Sequence, residues 1–180
     1  MKRIKQTGLD RVGGKAYHLL KMQAAGLLIP DFAVFAFDFF QKSASSADLE
    51  RMEAAYRSGE LDLSQLSQQL QDWAREQFSQ EDLTAAESWV HKEFSQTGCR
   101  FAVRSSATIE DGKASSFAGQ FESRLNVKPD GLKEAIQATL LSLYQESALG
   151  YLFEQGLSLE QAQMICLVQV MQEGDLSGIY

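Results

Sequence analysis

Apolar positions set the first expectations. After Gly13-Gly14, Leu19, Met22 and Ala25 recur at three-residue spacing and the next glycine is Gly26. This predicts a helix of about three turns that follows the double glycine and ends on Gly26 as C-cap. Residues 1–10 read as a short strand or arm. Ile29-Pro30 turns the chain into Phe32-Ala33-Val34-Phe35, an aromatic and β-branched run that predicts a strand, with a helix expected at 39–46. From about 48 to 97 the composition shifts to Gln, Glu, Ala, Leu and Ser. Leu61, Leu63, Leu66, Leu70, Trp73 and Phe78 fall there at three-to-four spacing, predicting an antiparallel helical insert broken at Ser58-Gly59 and at 79–82. Ser79 is its second N-cap, in the manner of a capping box with Asp82. Trp73 and Trp89 lie on apolar helical faces and read as core.

The period then shortens. Residues 99–105 predict a strand, 106–119 a loop of small and polar residues, and 120–127 a second strand with Phe121, Ser123 and Leu125 alternating. Pro129 opens a helix expected to run to about 149, with Leu132, Ile136, Leu140 and Leu143 on one stripe, and a shorter helix begins near Ser158. Residues 164–171 are almost continuously apolar and predict a buried strand; 173–175 turn it toward a further strand at 177–180. The fold class is therefore α+β, and a chain that stops inside an expected strand reads as a fragment.

At 180 residues with 44% apolar content the chain can bury a core as one domain or two small ones, and a mean hydropathy of -0.23 argues against wholesale disorder. No apolar run approaches the roughly 20 residues needed to cross a bilayer, and the start lacks a signal-peptide core, so the expected location is cytoplasmic with no membrane partner. Seventeen basic against 24 acidic residues give a net charge of -7, which opposes a nucleic-acid footprint and restricts any phosphate site to a local cluster. Cys99 and Cys166 have no CxxC pairing and read as buried thiols, while His18 and His91 have no ligand at metal spacing.

Two segments can carry chemistry. In Gly13-Gly14-Lys15, glycine amides can approach a phosphate and the lysine adds a point charge. The Walker pattern fails, because Gly8 is one residue too far upstream and Ala16 stands where a hydroxyl must hold magnesium, so ordinary turn chemistry is the alternative. In the second, Phe101-Ala102-Val103-Arg104-Ser105-Ser106-Ala107-Thr108 precedes Glu110-Asp111 and Ser116-Phe117-Ala118-Gly119-Gln120. A strand ending in Arg-Ser-Ser puts a guanidinium and two hydroxyls at a sheet edge, beside a loop able to close over phosphates; a surface loop with one surface arginine is the alternative.

Taken in order with Ile29-Pro30, Leu125-Asn126-Val127 and Val168-Gln169 to Ser177-Gly178, these motifs resemble the nucleotide-binding domain of the phosphoenolpyruvate synthase (pyruvate, water dikinase) family, related to pyruvate phosphate dikinases and rifampicin phosphotransferases. The resemblance implies an ATP-grasp-like N-terminal subdomain with a mixed or antiparallel sheet. It also implies transfer of a phosphoryl group from ATP to a histidine on a separate swivelling domain. By the same resemblance Lys15 and Arg104 contact the phosphates, Gly119 and Ser123 lie beside them, and Gln169, Val170 and Met171 border the adenine. By the resemblance, the magnesium-binding carboxylates and the glutamine and arginine of the second ATP-grasp half are expected downstream of Tyr180, so no catalytic or metal residue is assigned here. Arg124 departs from the family at a commonly aromatic position. The alternatives are a nucleotide- or protein-binding module without catalysis, a rifampicin phosphotransferase-like enzyme, and a helical adaptor.

Overall fold

The computed structural model describes residues 9–36, 46–94, 99–107 and 121–172. Helix α1 spans Leu9–Ala24 and strand β1 Phe32–Ala36; α2 (Ser46–Ser58), α3 (Leu63–Gln77) and α4 (Gln80–Glu93) follow. Then come β2 (Phe101–Ala107), β3 (Ser123–Val127), α5 (Leu132–Leu141), α6 (Glu146–Glu154) and β4 (Met164–Val170). The architecture is α+β. The strands form one sheet in the order β1-β4-β2-β3, with every neighbouring pair antiparallel. β2 and β4 are its central strands.

Strand alternation gives the sheet two faces with different tasks. Ala33 and Phe35 of β1, Phe101, Val103 and Ala107 of β2, and Met164, Cys166, Val168 and Val170 of β4 point into the main core, where α2 to α6 pack. Fully burying side chains such as Phe35, Phe101, Leu66 and Ile136 stabilises the fold by about 1.5–3 kcal/mol each before conformational entropy is charged against it. On the other face Leu167, Phe32 and Val34 meet Ala16, Tyr17, Leu19 and Leu20 of α1. That single helix leaves part of the face uncovered, and Leu125 on β3 is 59% exposed.

The segment expected as a helical insert forms α2, α3 and α4, and its Met52, Leu66, Leu70, Phe78, Leu83 and Val90 belong to the same core as the sheet. Asp62 closes a full capping box with Gln65 at the start of α3. Ser79 accepts from the Asp82 amide as N-cap of α4. Trp73 and Trp89 both pack against the core, Trp89 edge-on to Phe35 and Phe94.

Several sequence expectations need correction. β2 continues through Ser105 and Ser106 to Ala107, because both serines are buried and pair with Cys166 and Ile165 of β4. Arg104 therefore stands mid-strand in the sheet interior rather than at a strand end on a sheet edge. Phe121 is buried but precedes β3. The single helix expected from Pro129 is a 3-10 turn at Pro129–Gly131, then α5, a second 3-10 turn at Ser142–Tyr144 and α6, interrupted where Gln145 adopts extended backbone (φ -72°, ψ 149°). The helix expected near Ser158 is one 3-10 turn, Leu159–Gln161. α1 begins before the double glycine, at Leu9. Most of the arm read at 1–10, most of the helix read at 39–46, most of the loop read at 106–119 and the strand read at 177–180 lie outside the described residues, while Leu9 and Asp10 belong to α1. Among the described residues no helix is long and apolar enough to cross a membrane.

Candidate functional site

α1 is two helical segments joined at Gly13, whose φ of 67° and ψ of 161° suit glycine almost alone. The kink seats the chain against β2: a Cβ on Gly13 would stand 2.6 Å from the Ser106 carbonyl oxygen. Gly14 and Ala16 are buried beside it, and Ala16, with no exposed surface, rests on Leu167. Small residues thus bring the helix close to the sheet, and Lys15 between them projects outward. Its Nζ donates to the Ser105 carbonyl oxygen at 2.9 Å, joining positions 90 residues apart in sequence.

Arg104 is the exposed residue in a strand that is otherwise buried from Phe101 to Ala107. It pairs across with Leu167 on β4 and Ser123 on β3, so it shares the α1 face of the sheet. Arg51, Arg57, Arg75 and Arg124 each hold a nearby carboxylate. The Arg104 guanidinium has no hydrogen-bond or ion-pair partner among the described residues. Arg104 neighbours Ser105, whose carbonyl the Lys15 ammonium holds, and a guanidinium and an ammonium on one sheet face are donors suited to an oxyanion.

The remaining sequence-predicted positions divide. Ser123 is exposed opposite Arg104, and Gln169, half-buried, lies on the same face through its pairing with Ala102 and Phe32. The Val170 side chain points into the helical core, and its amide donates to the Asp31 carbonyl at 2.8 Å. The Met171 amide donates to the Arg100 carbonyl at 2.8 Å, while its Sδ accepts from the Asn126 amide at 3.1 Å. A base lying beside these two residues would therefore have to use groups other than their amide N–H. Gly119 lies outside the described residues. Asn126, at φ 58°, marks the bulge that shifts β3 against β2 and exposes Leu125.

Sequence reading missed the seat of Gly13 on Ser106 and the Lys15 bond to Ser105, which join two motifs it had treated separately. The double glycine was the available signal. Cys99 and Cys166 are free thiols, but Cys99 is only partly buried, against expectation; Cys166 is buried on the helical face, where burial pushes its pKa up. Among the described residues no three His, Cys, Asp or Glu side chains are grouped to hold a metal ion, so the donor set fits an anion and does not fit magnesium.

Residues 9–180 match the family described as the pyruvate phosphate dikinase AMP/ATP-binding domain. The chain belongs to this family. It is 32% identical to the phosphoenolpyruvate synthase of Escherichia coli K12 over 94% of this chain and 23% of that protein. It is 31% identical to the phosphoenolpyruvate synthase of Neisseria meningitidis over 96% of this chain and 23% of that protein. The rifampicin phosphotransferase of Streptomyces sviceus is 29% identical over 99% of this chain and 21% of its own length. The chain thus spans less than a quarter of the length of these relatives.

Proposed function

We propose that the chain is the N-terminal ATP-binding portion of a phosphoenolpyruvate synthase-like phosphotransferase, with the triphosphate held by Lys15 and Arg104 on the α1 face of the sheet. The observation that carries this reading is the meeting of the two motifs: the glycine-lysine turn is fastened to the strand that bears Arg104 by the Lys15 bond to Ser105. Phosphoryl transfer asks a protein mainly to position the phosphates and offset their charge, and a lysine with a guanidinium does both. Ser123 and Gln169 flank the pair and would contact the nucleotide further along the face; Val170, Met171 and Gly119 complete the assignment. Bound ATP supplies the transferable phosphoryl group, and these residues bind and orient it.

In this reading magnesium and its carboxylate ligands come from elsewhere in the protein, the acceptor is a histidine on a swivelling domain, and the protein works in the cytoplasm. Rifampicin phosphotransferases match over the same span at similar identity, which supports a second reading with an antibiotic as final acceptor. Both readings require the same ATP site. Titration calorimetry of Lys15→Ala and Arg104→Ala in the full-length protein tests it: each loses about 1.5–3 kcal/mol of ATP binding, a roughly 10- to 150-fold rise in Kd. Unchanged ATP affinity in both variants would remove the assignment.

A further inference from the structure

Gly13 is under two independent constraints. Its φ of 67° with ψ of 161° is a region that side chains disfavour. The seat is also closed: a Cβ there would lie 2.6 Å from the Ser106 carbonyl oxygen and 3.0 Å from its carbonyl carbon, backbone atoms of a central strand that cannot rotate away. Ser106 has no exposed surface and faces the same side of β2 as Arg104, two residues before it in the strand's alternation. A side chain at Gly13 can be accommodated only by lifting the start of α1 from β2. The Lys15 bond to Ser105 lies directly across that separation. At the other end of the helix, Gly26 also has positive φ (78°) but nothing within 4 Å of a built Cβ, so a substitution there strains the backbone and displaces nothing.

We infer that Gly13 is a positioning residue for the phosphate site: its contact with Ser106 sets the height of α1 over β2 and thereby holds the Lys15 ammonium beside Arg104, so that the two cations act on one phosphate group as a pair. This rests on the reading of Lys15 and Arg104 as phosphate contacts. Ser106, through its backbone and hydroxyl, is the other half of the gauge.

The test uses Gly13→Ala, Ser106→Thr and Gly26→Ala in the full-length protein. Ser106→Thr keeps the hydroxyl and adds one methyl at the contact, so it probes the same seat if Gly13→Ala does not fold. Two quantities are read: the rate at which an amine-reactive reagent labels Lys15, followed by mass spectrometry, and the Kd values of ATP and of adenosine. In Gly13→Ala and Ser106→Thr, Lys15 labelling rises, ATP binding weakens by at least about tenfold in the first and less in the second, and adenosine binding stays within about twofold. Gly26→Ala changes neither quantity. Unaltered Lys15 labelling, unaltered ATP binding, or a parallel loss of ATP and adenosine binding would overturn the positioning role. The underlying reading has its own arm: if Lys15→Ala and Arg104→Ala keep wild-type ATP affinity, both inferences fall. If those variants weaken ATP binding while Gly13→Ala does not, only the positioning role falls.

Discussion

Buried polar atoms report most directly on single residues. Thr139 has no exposed surface, and its Oγ1 has no hydrogen-bond partner among the described residues. The hydroxyl lost its hydration on folding and gained nothing, so Thr139→Val, similar in shape, should raise stability by about 0.5–2 kcal/mol, read as a higher urea midpoint at constant slope. Tyr144 and Cys166 set the alkaline limit: burial raises both pKa values well above the ordinary 10.0 and 9.0. Both groups are neutral at pH 7 whether the chain is folded or not. As pH rises past those ordinary values the unfolded chain releases protons that the folded chain keeps, so their contribution is full at neutral pH and is lost on the alkaline side. Stability should be level to about pH 9 and then fall by up to about 1.4 kcal/mol per unit for each group. Urea titrations from pH 8 to 11 check this, and Tyr144→Phe should make the decline shallower above pH 10.

Among the elements, α3 depends most visibly on a local device. Asp62 accepts from the Gln65 amide at 2.8 Å and the Gln65 side chain accepts from the Asp62 amide at 2.9 Å, while Leu66, Leu70 and Ala74 on the inner face are fully buried. Asp62→Ala leaves an orphan amide at the helix start and should cost about 0.5–2 kcal/mol, measured as a lower urea midpoint. Nucleotide binding should be unaffected, because α3 packs on the face of the sheet opposite Arg104. α2 is tied to the approach to β4 differently: Glu53 holds Arg57 through one carboxylate oxygen and accepts from the Leu159 amide at 2.8 Å through the other.

For the whole molecule, the two faces of the sheet differ in what they carry. Its helical face carries the main core, and its α1 face carries Lys15, Arg104, Ser123 and Gln169. In the proposed reading Lys15 and Arg104 supply the positive charge for phosphates, whereas among the described residues no three His, Cys, Asp or Glu side chains are grouped for a cation. Because the proposed reading takes the magnesium ligands from elsewhere in the protein, the 180 residues expressed alone should bind ATP and leave it intact. Chromatography of nucleotide after prolonged incubation with magnesium should show ATP alone, and AMP or ADP well above a protein-free control would contradict the division of labour.

Local pattern was enough for the α+β class, the three helices after Ser46, the strands at Phe32, Phe101 and Met164, the buried stripe of Leu132, Ile136 and Leu140, and the ATP-binding family. These follow from spacing, turn residues and short motifs, which act within a few positions along the chain. The lengths of β2 and α5 were not legible in the same way. Ser105 and Ser106 read as loop residues until β4 supplied partners for their backbone, and nothing in composition marks the extended Gln145. The site shows the same division. Lys15 and Arg104 were visible as motif residues, but the meeting of Lys15 with the Ser105 carbonyl, next to Arg104 on β2, depends on α1 settling on β2 at the depth that Gly13, Gly14 and Ala16 permit. Tertiary structure decided that meeting, because contact between segments 90 positions apart follows from how closely two backbones can pack.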